Sequence, residues 1–142
     1  MITVVAAIIE RSDRRILIGQ RRKNDSSPLK WEFPGGKMED GENPEEALAR
    51  ELREELTATL TKSVEIGRVQ HQYAGRDESL EIRFYAAAIE NDSIEPKTFE
   101  QIAWVLPREL SQYDFLAANL RLIAELATGR IKPAEILASK QQ

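Results

Sequence analysis

The sequence predicts an α/β fold in which a mixed β-sheet lies between helices, and three observations carry that expectation. Runs rich in Val and Ile open the chain, a stretch with helix-start signals follows at 44–56, and more β-type runs precede a second amphipathic stretch near the C-terminus. The 142 residues suit one domain, 1–142, with a real core; 42% hydrophobic and 31% charged residues mark it as globular and soluble. A net charge of -4 argues against a surface that coats DNA or RNA, but not against a small anion held through a metal. No cysteine occurs, which excludes disulfides, a thiolate nucleophile and a thiolate metal site.

Ile2 to Ile9 lacks a basic leader and passes into Glu10 and Arg11, so it reads as a strand, not as a signal peptide or a membrane span. A cytoplasmic location and no membrane partner are the expectation. Arg15 to Gln20 is a second β-type run, with Ser12-Asp13-Arg14 as a hairpin turn between them. Arg21-Arg22-Lys23 reads either as a solvated strand end or as cations for phosphate groups, which Arg grips through bidentate hydrogen bonds. After a Ser-, Pro- and Asp-bearing loop over 24–30, Trp31-Glu32-Phe33 forms a short strand running into Gly35 and Gly36. These glycines let the backbone approach a metal or phosphate, with the Gly36 carbonyl as a ligand candidate.

The next stretch organises the chain. Asn43 is a good N-cap, Pro44 suits the first helical position and Glu46 falls where a capping-box carboxylate belongs, so a helix runs from Pro44 to Leu56. At about 100° per residue, Leu48, Leu52 and Leu56 form an apolar stripe and Glu51, Glu54 and Glu55 share the neighbouring arc. Each like-charge pair at these spacings costs about 0.2–0.5 kcal/mol on an exposed helix, and more beside a core. Either the arc is a solvated acidic face, or a cation sits there; carboxylate oxygens from one turn suit Mg²⁺, with Mn²⁺ the alternative.

Beyond the helix, Ala58 to Glu65 is a connector with the start of a strand, and Gly67 to Tyr73 is extended. A turn is expected at 74–78 and a strand over Leu80 to Ile89. A polar loop over Asn91 to Thr98 leads to a strand over Gln101 to Leu106, and Pro107 opens a short helical piece. From Asp114 an amphipathic helix is expected to about Ala127, with Leu116, Leu120, Ile123 and Ala127 on one stripe and Gly129 as its stop. The tail from about Lys132 carries no strong pattern. His71, the sole histidine, reads as a structural or surface group.

Gly36, Glu42 and Arg50-Glu51-Leu52-Arg53-Glu54-Glu55, preceded by Trp31-Glu32-Phe33-Pro34-Gly35-Gly36-Lys37, resemble the Nudix box of the Nudix hydrolase family, over 36–58 here. One residue departs from that pattern. The family usually has glycine where Thr57 stands, and a β-branched residue suits positive φ poorly, which puts the geometry of the helix end in question.

The resemblance implies a Nudix α/β/α sandwich over nearly the whole chain. It implies hydrolysis of a nucleoside triphosphate to monophosphate and pyrophosphate, with Gly36, Glu51, Glu54 and Glu55 holding the metal. Glu51 would be general base or ligand, Arg50 would orient it by ion pairing, and Glu42 would support the loop. Arg21, Arg22, Phe33 and Lys37 would meet the substrate. The extra loop carboxylate usual in such enzymes would fall at Thr98, leaving Glu100 as a replacement. Asn119 matches the place where MutT-type enzymes carry a purine-binding asparagine, and an amide offers both donor and acceptor. Together with the lead-in strand it implies sanitising of 8-oxo-dGTP, the alternative being CTP, dCTP or modified pyrimidine nucleotides.

The expected partner is thus a small nucleotide, with no nucleic-acid polymer, for a monomer or homodimer. A nucleotide-binding module without turnover is the competing class, yet such modules typically lose box carboxylates and all are present here.

Overall fold

The computed structural model describes residues 1–72 and 79–139; the turn expected at 74–78 lies outside them. In chain order the elements are β1 (Ile2–Ile9), β2 (Ile16–Gln20), β3 (Trp31–Glu32), β4 (Gly35–Lys37), α1 (Pro44–Leu56), β5 (Leu60–Gln72), β6 (Ser79–Ile89) and β7 (Gln101–Val105). Single 3-10 segments follow at Pro107–Gln112 and Ala117–Asn119, then α2 (Leu120–Ala127) and α3 (Pro133–Ser139). Among the described residues no helix is long and apolar enough to cross a membrane.

The strands divide between two sheets. One is mixed, ordered β4-β1-β6-β5 with β1 and β6 parallel; the other is antiparallel, ordered β3-β2-β7. The turn expected between β1 and β2 is present, closed by Arg11 N to Arg15 O at 2.7 Å, but the two strands do not form a hairpin. β1 pairs with β6 from Ile2 to Ile9 on one side and with β4 at Val4 to Ala6 on the other. Only the Glu10–Ile16 bridge is left for β2, which then enters the second sheet. The parting of the sheets makes the cleft that holds the site.

Alternation along β1 feeds two cores. Ala6 and Ile8 join Ile18, Phe33, Phe84 and Phe115 on the α2 side, while Val5, Ala7 and Ile9 join Leu48, Leu52, Leu56, Tyr85 and Phe99 on the α1 side. The capping box of α1 forms as the sequence predicts: Asn43 Oδ1 accepts from Glu46 N at 2.8 Å and Glu46 Oε1 from Asn43 N at 2.9 Å. Leu48, Leu52 and Leu56 are fully buried, each contributing roughly 1.5–3 kcal/mol. At the helix end Thr57 takes a left-handed conformation, φ 56°, donating its N–H to the Arg53 carbonyl. It is a β-branched residue in a glycine's place.

Three expectations change. The helix predicted from Asp114 begins at Leu120, because Trp31 N donates to Asp114 O (2.9 Å) and Leu116 N to Trp31 O (3.1 Å), holding this segment extended beside β3. The later start rotates the buried face to Leu122, Ile123 and Leu126, leaving Leu120 54% exposed instead of on the stripe. The expected connector and extended run beyond α1 form one thirteen-residue strand, β5, with bulges between Leu60 and Lys62 and between Glu65 and Gly67. The tail holds a helix, α3, started by Pro133 and anchored by Glu10 Oε1, which accepts from Ala134 N at 3.0 Å.

Candidate active site

A cavity of about 380 Å³ opens between the sheets. One end is lined by Gly36, Lys37, Glu51, Glu54 and Glu55; the other by Phe33, Leu116 and Asn119, with Val4, Ala6, Leu80 and Ile82 as apolar walls. α1 supplies the carboxylates. Because its leucine stripe is pinned against the sheet, the neighbouring arc faces β4, and Glu55 Oε1 accepts from Gly35 N at 2.9 Å. Gly36 lies so near that a Cβ there would fall 2.5 and 2.6 Å from Glu51 Oε2 and Oε1.

Arg50 ties this end together. Its Nε donates to Glu42 Oε2 at 2.7 Å, Nη1 to Glu51 Oε1 at 2.9 Å and to Glu54 Oε2 at 3.3 Å, and Nη2 to the Lys37 carbonyl at 2.9 Å. Glu42 Oε1 also accepts from Glu39 N at 2.8 Å, closing the loop ahead of the helix. Although Arg50 starts off the acidic arc, its length brings the guanidinium back over Glu51 and Glu54.

The electrostatics follow from burial. The Glu55 carboxyl is pushed up to about 8, first by desolvation, against the pull of the Gly35 N–H, with the charges of Glu51, Glu32 and Glu54 adding to the rise. Burial also raises Glu51, opposed by Arg50. Arg50 itself is held more firmly protonated, chiefly by its hydrogen bond to Glu42. Among the described residues no three carboxylates or imidazoles are gathered as a finished metal cage. Even so, the donor set fits a hard divalent cation: three carboxylates of one helical turn, two of them half-buried and one exposed, beside a glycine backbone with no Cβ to crowd them.

The remaining predicted residues divide. Phe33 lines the cavity with its ring 5.4 Å from that of Phe115, and Lys37 stands exposed at the carboxylate end. Asn119 is 5% exposed, and its Oδ1 is buried with no hydrogen-bond partner among the described residues. Arg21 lines the cavity but is engaged by Glu32 at 3.0 Å and Asp25 at 2.6 Å. Arg22 is not in the lining; it donates to the carbonyls of Thr98 (3.0 Å) and Lys97 (3.1 Å), pinning the loop before β7. Glu100 is outside as well. Phe99, 4% exposed, takes the inward position, so its neighbour Glu100 points to solvent.

Sequence reasoning missed Glu32 and Phe99, and it reached Thr98 only as the place where the usual loop carboxylate is absent. The signal for Glu32 was available: a carboxylate between two core aromatics on a strand must face the other way.

A family model described as NUDIX domain matches residues 2–126. The CTP pyrophosphohydrolase of Escherichia coli K12 is 35% identical over 136 residues, spanning 95% of this chain and 98% of that protein. The 8-oxo-dGTP diphosphatase of Proteus vulgaris is 35% identical over 94 residues, covering 66% of this chain and 83% of that one. The solution structure of the E. coli ORF135 protein superimposes with a TM-score of 0.76 at 33% identity, covering 92% of this chain and 91% of the other.

Proposed function

Because this chain belongs to the Nudix family, we infer that it hydrolyses a nucleoside triphosphate to the monophosphate and pyrophosphate in the cavity between its sheets. The observation that supports this most is the division of that cavity: carboxylates of one helical turn at one end, and at the other a buried amide oxygen without a partner among the described residues, beside apolar walls. A polyphosphate matches the first end and a nucleobase the second.

Glu51, Glu54 and Glu55 with the Gly36 carbonyl would hold a divalent cation, Mg²⁺ or alternatively Mn²⁺. Such an ion supplies neutralisation of phosphate charge and a water of lowered pKa. Arg50 keeps Glu51 and Glu54 from splaying by bonding both. Glu51, fixed by its hydrogen bond from Arg50, either binds the cation directly or takes the proton of the attacking water. Lys37, at the same end, meets the phosphates. Asn119 turns its amide to the base edge, and Phe33 closes the base end.

For the base, the relatives named 8-oxo-dGTP diphosphatase support an oxidised purine, 8-oxo-dGTP, whose edge the Asn119 amide can meet with a donor and an acceptor. The second reading, CTP or dCTP, is favoured by the relative named CTP pyrophosphohydrolase, which matches 95% of this chain. A panel of ordinary and oxidised triphosphates with Mg²⁺, read as kcat/KM and as pyrophosphate against orthophosphate released, decides between them. Glu54→Gln is expected to lower kcat by about 100-fold or more with the fold intact, and Asn119→Ala to lower activity on the oxidised purine selectively. Orthophosphate as the product, or wild-type turnover in Glu54→Gln, would overturn the assignment.

A further inference from the structure

A second cavity, of about 320 Å³, shares no lining residue with the first. That size falls at the low end of the roughly 300–1,000 Å³ over which pockets hold small organic ligands. The end of β1, the turn before β2, Pro107 and Arg108, the end of α2 and the start of α3 frame it. Leu106, Leu126 and Ile131 give it apolar walls.

One charged group is set deep in this cavity. The Glu10 side chain is 7% exposed, and its Oε1 accepts from Ala134 N at 3.0 Å. Oε2 accepts no hydrogen bond from any described residue; Arg14 Nη1 stands 3.8 Å away, an ion pair beyond hydrogen-bond reach. A carboxylate so far removed from water carries a cost until a donor meets it. Oε2 is not among the polar atoms that are both sealed off and unpartnered, so such a donor can reach it from the cavity.

The mouth has the opposite sign. Arg14, Arg108 and Lys132 are exposed around it, and neither Arg108 nor Lys132 forms an ion pair with a described residue. Asp13, the other acid of the lining, is already taken by Arg11 at 2.8 Å and Arg15 at 3.1 Å. Three cations thus gather at one mouth in a chain whose net charge is -4. A carboxylate ligand would balance one of them. A phosphate monoester carries about 1.5–2 negative charges near pH 7 on three strong acceptor oxygens, and so matches three cations better.

We propose that this cavity is a second binding site, for a small phosphate monoester whose organic body carries an amino group. The phosphate lies at Arg14, Arg108 and Lys132, the amino group donates to Glu10 Oε2, and the apolar walls hold the body between them. Nucleoside monophosphates with an amino-bearing base and amino-sugar phosphates share this chemistry. The site stands apart from the hydrolase reading, since none of its residues lines the other cavity.

Calorimetric titration in EDTA with matched pairs tests the site: CMP against UMP, GMP against IMP, and glucosamine 6-phosphate against glucose 6-phosphate. The amino member of at least one pair is expected to bind about 10- to 100-fold tighter, the range for a hydrogen bond to a charged group. Which pair shows it separates nucleotide from sugar. Arg108→Ala combined with Lys132→Ala alters exposed side chains alone. It is expected to weaken that ligand by about tenfold or more, with kcat and KM for triphosphates within about twofold of wild type. Binding that survives the double variant belongs to the first cavity. In Glu10→Gln the amide oxygen keeps the Ala134 bond and the NH₂ faces the ligand, so the amino preference should fall to near one. Should melting curves show Glu10→Gln unfolded, the double variant and the wild-type pair ratios decide. No preference within any pair, inorganic phosphate bound as tightly as the esters, or binding untouched by the double variant would overturn the inference and leave hydrolysis intact.

Discussion

Replacing Gly36 by Ala tests the link between the short strand β4 and the acidic arc of α1. The new Cβ would stand 2.5 and 2.6 Å from the Glu51 carboxylate oxygens, where ordinary contacts begin near 3.4 Å. Gly36 is not among the glycines at positive φ, so the backbone accepts alanine and the conflict falls on the far end of a flexible side chain. Glu51 therefore yields by about 1 Å, a displacement that costs on the order of 100-fold in rate when it moves a catalytic group. In stability the variant loses at most the Arg50–Glu51 hydrogen bond, about 1 kcal/mol, or a few degrees in Tm. Gly35→Ala is the contrast. There a Cβ would strike the backbone oxygen of Val5, which cannot give way, so β4 leaves the sheet and the protein is destabilised outright. Stopped-time release of pyrophosphate alongside thermal melts separates the two: Gly36→Ala folded and slow, Gly35→Ala poorly folded. A folded Gly36→Ala with wild-type kcat would refute the reasoning, because it would show that the position of Glu51 is immaterial.

Three further outcomes concern stability. Thr57→Gly removes a β-branched residue from φ 56° and is expected to raise stability by about 1 kcal/mol, a few degrees in a calorimetric melt. Tyr85→Phe deletes a buried hydroxyl that has no partner among the described residues, so chemical denaturation should find it neutral or more stable, against the usual cost of a truncated core side chain. Glu65 is held down to about 2 by Arg68 and Arg83 against its partial burial; its folded-state pKa lies below the unfolded value near 4.5, so its contribution is present above pH 4.5 and lost as pH falls toward 2. With a quarter of the side chain exposed, that contribution is discounted for screening to about 1 kcal/mol. Glu65→Gln should be less stable than wild type by that amount at pH 7 and equal to it near pH 2 in urea titrations.

Local rules made α1 legible and could not have made the cleft so. The N-cap, the proline and the three leucines all report on residues within one or two turns, and the helix ends where they say. The acidic arc came with it, since the angular positions of Glu51, Glu54 and Glu55 follow from the leucines. What the chain order concealed was pairing across long separations. β1 reads as half of a hairpin because its partner β6 lies some eighty residues away, and Asp114 to Leu116 reads as helix because its hydrogen bonds go to Trp31. Arg22 and Glu100 fell outside the cavity for the same kind of reason: the carbonyls that hold Arg22 belong to a distant loop, and the inward place beside Glu100 is taken by Phe99.

The same long-range bonds explain why the base end is built as it is. A helix starting at Asp114 would have carried Asn119 in its second turn, with its place on the surface set by the helix alone. Docking 114–116 on β3 instead fixes Asn119 relative to Phe33, which shares that strand's continuation and packs on Phe115. Asn119 is 5% exposed as a result, and a buried acceptor without a partner, as its Oδ1 is among the described residues, costs about 1–3 kcal/mol. A fold retains such a cost where a ligand's donor relieves it on binding, so recovery of that energy should appear as nucleotide affinity: Asn119→Ala should stabilise the free protein while weakening the complex. If the variant loses stability and affinity together, Asn119 is a structural residue of the 3-10 turn and the base-reading assignment fails.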